Sequence, residues 1–82
     1  MLECPYCEKR PHEITEYIEQ AEYSEVTPEE FVKMDEGTYD YRTDLFCCTT
    51  CYIKIGMPLN SKLHEAFAYY RKQVKPLQLN EK

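Results

Sequence analysis

With 82 residues, 30% of them charged, the chain makes one domain at most, and a domain of this length buries too little surface to be secure without help. Its formal charge of −5 divides into about −9 over residues 1–46 and +4 over the rest, which disfavours general binding to polyanionic nucleic acid. No apolar run of about 18 residues and no leading charged and apolar segment occurs, so a spanning helix and an exported chain are not expected. A cytoplasmic, reducing setting makes its five cysteines metal ligands or redox groups rather than disulfides.

The first cysteine pair, Cys4 and Cys7, opens the chain, and Pro11 breaks it soon after. Glu13 to Tyr23 then places Ile14, Tyr17, Ile18 and Ala21 at helical spacing, with Glu13, Glu16, Glu19 and Glu22 on the opposite face. Ile14, Tyr17 and Ile18 are expected to face the core. Thr27, Pro28 and Glu30 form a capping-box signature for a short second helix to about Met34. Gly37 ends it. Thr38 to Tyr41 and Leu45 to Cys47 read as two short strands of a loose hairpin, on which Tyr39 and Tyr41 share a face. Tyr52 to Ile55 makes one helical turn closed by Gly56. Asn60 or Ser61 caps the last helix, where Leu63, Ala66, Phe67, Tyr70 and Val74 form the clearest amphipathic stripe, ending near Lys75 before Pro76. The expected fold is therefore α+β: a zinc-stabilised single domain over residues 1–77 with a short hairpin and a C-terminal amphipathic helix, and a frayed tail over 78–82. Phe31, Leu45, Phe46, Leu63, Phe67, Tyr70 and Val74 complete its core.

Two pairs with the same spacing, Cys4-Pro5-Tyr6-Cys7 and Cys48-Thr49-Thr50-Cys51, can each wrap a tight turn around one side of a metal ion. Four thiolates suit one Zn²⁺ at about 2.3 Å in a tetrahedron with no open position, which reads as a structural site. Mononuclear iron in the same four-cysteine site is the alternative metal. Cys47 also lies near enough to Cys51 to share the ion, but spacing favours Cys48 and leaves Cys47 as a small apolar core residue. His12 and His64 are weaker substitutes, His64 being read as a solvated polar residue.

Two cysteine knuckles, a loose hairpin and a helix start beside Cys48 and Cys51 resemble the treble-clef or zinc-ribbon type of four-cysteine zinc finger. The resemblance is one of architecture and implies a metal-built scaffold. The first pair also resembles a glutaredoxin active-site motif, yet only three residues precede Cys4, too few for the strand that such a motif follows. Thiol redox chemistry is accordingly the third functional reading.

With two glycines there is no phosphate-cradling loop, and no serine nucleophile motif is present, so a non-enzymatic role is expected. The leading reading is a regulatory or adaptor module whose acidic face meets a basic surface on another protein. The second is nucleic-acid binding through Lys54, Lys62, Arg71, Lys72 and Lys75 beside Tyr69. Tyr39, Tyr41 and Tyr52 serve the core, or else an exposed aromatic patch.

Overall fold

The computed structural model describes residues 1–73, so Val74, Lys75 and the expected tail over 78–82 lie outside the described residues. A single 3₁₀ turn at Pro11–Glu13 leads into four helices: α1 Thr15–Ser24, α2 Pro28–Asp35, α3 Thr49–Lys54 and α4 Asn60–Gln73. Helices α1 and α2 pack against each other and against the 3₁₀ turn, while α4 is tied to Gly37 and Glu3 by side-chain hydrogen bonds.

The expected α+β architecture is corrected: the described residues are helical, and β structure is confined to two isolated bridges, Glu3 with Leu45 and Asp40 with Leu45. Side chains take the bonds a hairpin would need. Asp40 is buried, and its carboxylate accepts the Arg42 N–H at 3.0 Å and the Thr43 hydroxyl at 3.2 Å, which closes a local turn instead of a ladder. Asp44 follows at a left-handed φ of 58° and donates its N–H to the Asp40 carbonyl at 2.8 Å. Desolvation pushes the Asp40 carboxyl up, but the Arg42 amide, the nearby His64 and the Thr43 hydroxyl outweigh it and hold the group below the ordinary range.

Beyond the turn, Thr38 does with one hydroxyl what a second strand would do with backbone. Its Oγ1 accepts the Cys47 N–H at 2.9 Å, and its one hydroxyl proton is shared between the Glu36 carboxylate at 2.9 Å and the Cys47 carbonyl at 3.2 Å. Both Cys47 groups are buried, so Thr38→Val leaves an amide and a carbonyl without partners and is expected to cost about 1–3 kcal/mol. Chemical denaturation of the two proteins measures this, with Thr38→Ser expected to lie close to wild type.

The core gathers Leu2, Tyr17, Val32, Leu45, Phe46, Cys47, Leu63, Phe67 and Tyr70. Phe46 stands edge-on to Tyr17, with ring centroids 5.5 Å apart, and Tyr17 in turn meets Phe31 at 6.1 Å. Leu2 and Val32 were absent from the expected core. Ile18 was included in it but is 37% exposed. Helix α1 begins at Thr15 with Ile14 as its N-cap, and its buried residues are Tyr17 and Ala21, one turn apart, with Ile18 about 100° round from Tyr17 at the edge of that face. Tyr39 is half-buried and donates to Asp44, whereas Tyr41 is 79% exposed, because the turn at Asp40 removes the common strand face.

The capping box at α2 is present in full, with the Glu30 N–H donated to Thr27 Oγ1 at 3.1 Å and the Thr27 N–H to Glu30 Oε1 at 3.0 Å. Thr27→Ala should lose about 1 kcal/mol in thermal or urea unfolding. On α4, Leu63, Phe67 and Tyr70 turn inward as the stripe predicts, and the helix is fastened at both ends. Near its start Asn60 donates to the Gly37 carbonyl at 2.8 Å, and near its end Tyr70 donates to Glu3 at 2.9 Å.

Candidate metal centre

The first knuckle is a tight loop held by its own backbone. Cys4 donates its N–H to the Lys9 carbonyl at 2.9 Å and accepts the Glu8 N–H at 2.6 Å, while Glu8 takes a left-handed φ of 62° to let the chain turn. The second knuckle is the start of a helix. Cys48 is the N-cap of α3 and Cys51 lies in its first turn, where the unpaired amides and the helix dipole favour negatively charged sulfur. Gly56, at φ 94°, ends this short helix as the sequence suggests, and Tyr52 donates to the Pro58 carbonyl at 2.8 Å to fix the loop that follows.

The bridge between Glu3 and Leu45 brings the two knuckles together, seconded by the Phe46 N–H on the Glu3 carbonyl at 3.4 Å. Ligand atoms of Cys4, Cys7, Cys48 and Cys51 consequently all lie within 4.8 Å of one another. Cys7 and Cys48 have their sulfurs 3.9 Å apart. A tetrahedral Zn–S₄ centre with 2.3 Å bonds has sulfur–sulfur edges of about 3.8 Å, so the spacing and the all-sulfur donor set fit a thiophilic divalent ion. These four cysteines could hold a metal ion, as a four-cysteine zinc finger does.

Without a cation, the site favours neutral thiols and disfavours thiolates. The adjacent Cys47 thiol pushes Cys4 up to about 11, against the lowering influence of Cys48 and of the Cys48 and Cys7 amides. The Cys4 thiol and burial push Cys48 up, and burial with the Cys4 charge pushes Cys51 up. Tyr6, half-buried beside these sulfurs, is raised to about 12 by burial first and then by Cys47, Cys4 and Cys51. Several thiolates cannot coexist in this space on their own, and a divalent cation is the ordinary means of reversing that balance.

Cys47 stays outside the cluster. It is 1% exposed, belongs to the core, and is secured through its backbone by Thr38, so the choice of Cys48 over Cys47 by spacing agrees with the geometry. The histidines are used elsewhere. His12 Nδ1 lies 2.7 Å from Glu29 Oε2 and ties the 3₁₀ turn to α2, an interaction that holds the Glu29 carboxyl low. His64 is half-buried rather than solvated: its Nε2 is 3.1 Å from the Thr38 carbonyl and its Nδ1 is 4.0 Å from Asp40. It therefore joins α4 to the turn that replaces the hairpin.

The treble-clef resemblance survives only in its two knuckles and the helix after the second, because the hairpin it requires is missing from the described residues. No described helix is long and apolar enough to cross a membrane.

Of the basic residues picked out for nucleic acid, Arg71 is already engaged. It donates to the carbonyls of Thr43 and Met1, each at 2.9 Å, and lies 3.9 Å from Glu3. Lys75 lies outside the described residues. On the acidic side, Glu16 accepts from Thr49 and Glu13 from the Arg10 amide, whereas the carboxylates of Glu19, Glu22 and Glu25 have no hydrogen bond or ion pair among the described residues. Tyr23, within the same stretch of sequence, is 90% exposed, an aromatic whose exposure the helical spacing alone does not announce.

No protein-family model matches the chain, and neither the curated proteins nor the solved structures give a significant match.

Proposed function

We propose that this chain is a small non-catalytic binding module built around one structural Zn²⁺ held by Cys4, Cys7, Cys48 and Cys51, and that its acidic α1 surface docks onto a basic surface of another protein. The observation that carries the metal reading is the convergence of four sulfurs within 4.8 Å, drawn from knuckles 41 residues apart in sequence. Four cysteines leave no coordination position for substrate or water, and Glu16, Glu19 and Glu22 on α1 are exposed to solvent. Both points favour a scaffold over an enzyme.

The docking reading is supported by the contrast between the two charged surfaces. Glu19, Glu22 and Glu25 are exposed, and so is Tyr23, which lies between them in sequence and is the residue type that anchors interfaces with one wet end. By contrast, Arg71 is fastened to backbone carbonyls, which reduces the basic stripe to scattered lysines. Complementary charge would then steer a basic partner to α1 and fix its orientation.

Two measurements test these statements separately. Titrating the reduced, metal-free chain with Co²⁺ should give the absorption bands of a tetrahedral four-thiolate site at one ion per chain, and Zn²⁺ should displace the Co²⁺. Bands of lower symmetry, or no binding, would remove the metal reading. Affinity capture should then compare the native chain with Glu19→Lys/Glu22→Lys/Tyr23→Ala. A protein partner held by the first, released by salt and lost by the variant is expected. Retention of a single-stranded oligonucleotide that depends on Lys54, Lys62 and Lys72 would replace protein docking with nucleic-acid binding.

A further inference from the structure

The sulfur cluster is not sealed equally on all sides. Cys4, Cys48 and Cys51 are buried, with 0%, 6% and 4% exposure, while Cys7 is only half-buried. A cavity of about 320 Å³ opens beside it, walled by Cys7, Cys48 and Cys51 and rimmed by Lys9 and Lys54. The space admits a small ligand and is far below what a folded partner would need. Glu13 lines the same cavity, but its carboxylate accepts the Arg10 N–H at 2.8 Å and so is tied back toward the 3₁₀ turn. Neither lysine forms an ion pair among the described residues. Two cationic side chains therefore flank the only sulfur of the four that is not buried.

We infer that this cavity is an entry site for small anionic thiols and chelators, through which an incoming ligand takes the place of Cys7 on the metal. The inference rests on the metal reading above. In the exchange, the incoming thiolate forms a bond to the metal while the bond to Cys7 Sγ breaks and leaves its electron pair on that sulfur. Cys7 Sγ then takes up the proton that the incoming thiol gave up, and no oxidant is consumed. Cys7 is suited to leave because it packs against the edge of the core, half-buried and followed by the exposed Glu8, so its displacement costs less packing than that of the other three. Cys4, Cys48 and Cys51 are packed into that core. Lys9 and Lys54 raise the local concentration of anions against a four-thiolate centre that itself carries negative charge. The metal would then be stably held yet exchangeable with the small-thiol pool, from one face and through one ligand.

The test uses the full chain loaded with Zn²⁺ and follows metal release with a fixed concentration of a reporter dye while an added thiol is varied. The negatively charged 3-mercaptopropionate is compared with the neutral 2-mercaptoethanol, which is of similar size. Release should accelerate with 3-mercaptopropionate concentration. Lys9→Glu/Lys54→Glu should lower the ratio of anionic to neutral rates by on the order of tenfold. Lys33→Glu/Lys72→Glu, the same change in net charge away from the cavity, should leave the ratio near its native value. Raising the salt concentration on the native chain should shrink the ratio as well, which keeps the test available if the charge-reversed chain folds poorly. Release independent of thiol concentration, or an equal change in both charge-reversed chains, would overturn the entry site while leaving the metal reading standing. A chain that takes up no metal in the preceding titration would overturn both.

Discussion

Cys51→Ser is expected to abolish the cooperative thermal transition of the domain together with its metal binding. The serine hydroxyl is a poor ligand for a soft-leaning ion, so the substitution removes one of four bonds and leaves three thiols whose deprotonation the burial of the site opposes. Metal binding in small zinc peptides contributes about 10–16 kcal/mol. A core of this size leaves only a few kcal/mol of net stability, so loss of the ion outweighs everything else that holds the chain. Chelation of the native protein should give the same loss of helicity, and re-addition of Zn²⁺ should restore it. Cys47→Ala is the control: Cys47 lies outside the cluster, so that chain should keep its metal and lose about 1 kcal/mol from a small cavity. Circular-dichroism melting combined with native mass spectrometry reads both properties at once. A Cys51→Ser chain with a native transition and full metal content would end the proposal that the ion is structural.

Phe46→Ala should have the second largest effect, a loss of about 3–5 kcal/mol in the metal-loaded protein. Phe46 is 0% exposed and stacks edge-on against Tyr17 in the middle of the core, so its removal leaves a void bounded by residues that cannot collapse inward. Its position along the chain adds to this, because it lies two residues before Cys48 and its N–H meets the Glu3 carbonyl that adjoins the first knuckle. The aromatic ring thus supports the approach of the two cysteine pairs. The alanine variant should bind Zn²⁺ more weakly as well as melt earlier, whereas Phe46→Leu, which fills most of the space, should lose less than about 1.5 kcal/mol. Urea denaturation at saturating and at limiting Zn²⁺ separates the two contributions. Equal destabilisation in both conditions would mean that packing and metal site are independent.

The cysteine constellation was legible in sequence because its signal is local and repeated: two pairs of identical spacing, each of which can form a turn. The capping box at Thr27 and the inward stripe of Leu63, Phe67 and Tyr70 were legible for the same reason, since each follows from spacing within a single helix. The hairpin was not. Alternating residues around Thr38 to Cys47 satisfy the pattern of paired strands, yet the pairing depends on which groups the backbone meets, and there Asp40 and Thr38 offer side-chain bonds that compete with a ladder. Ile18 was misplaced because the apolar stripe on α1 is wider than the face that is buried: Tyr17 and Ala21 carry the packing and Ile18 lies at its edge. Leu2 and Val32 were missed because their burial comes from segments distant in sequence, with no periodic neighbours to announce it. The use of His64 as a tie between α4 and the turn was likewise invisible, since it depends on a carbonyl 26 residues away.

The two knuckles are 41 residues apart and the Tyr70–Glu3 bond spans 67, which has a consequence for how the protein is made. As the chain leaves the ribosome, Cys4 and Cys7 emerge before Cys48 and Cys51 and wait, unpaired, while the residues between the knuckles are translated. During that interval the acidic segment between them has neither ion nor α4 to fold against. Maturation therefore begins only after Cys51 has cleared the exit tunnel, and its speed should follow the supply of free metal rather than the rate of elongation.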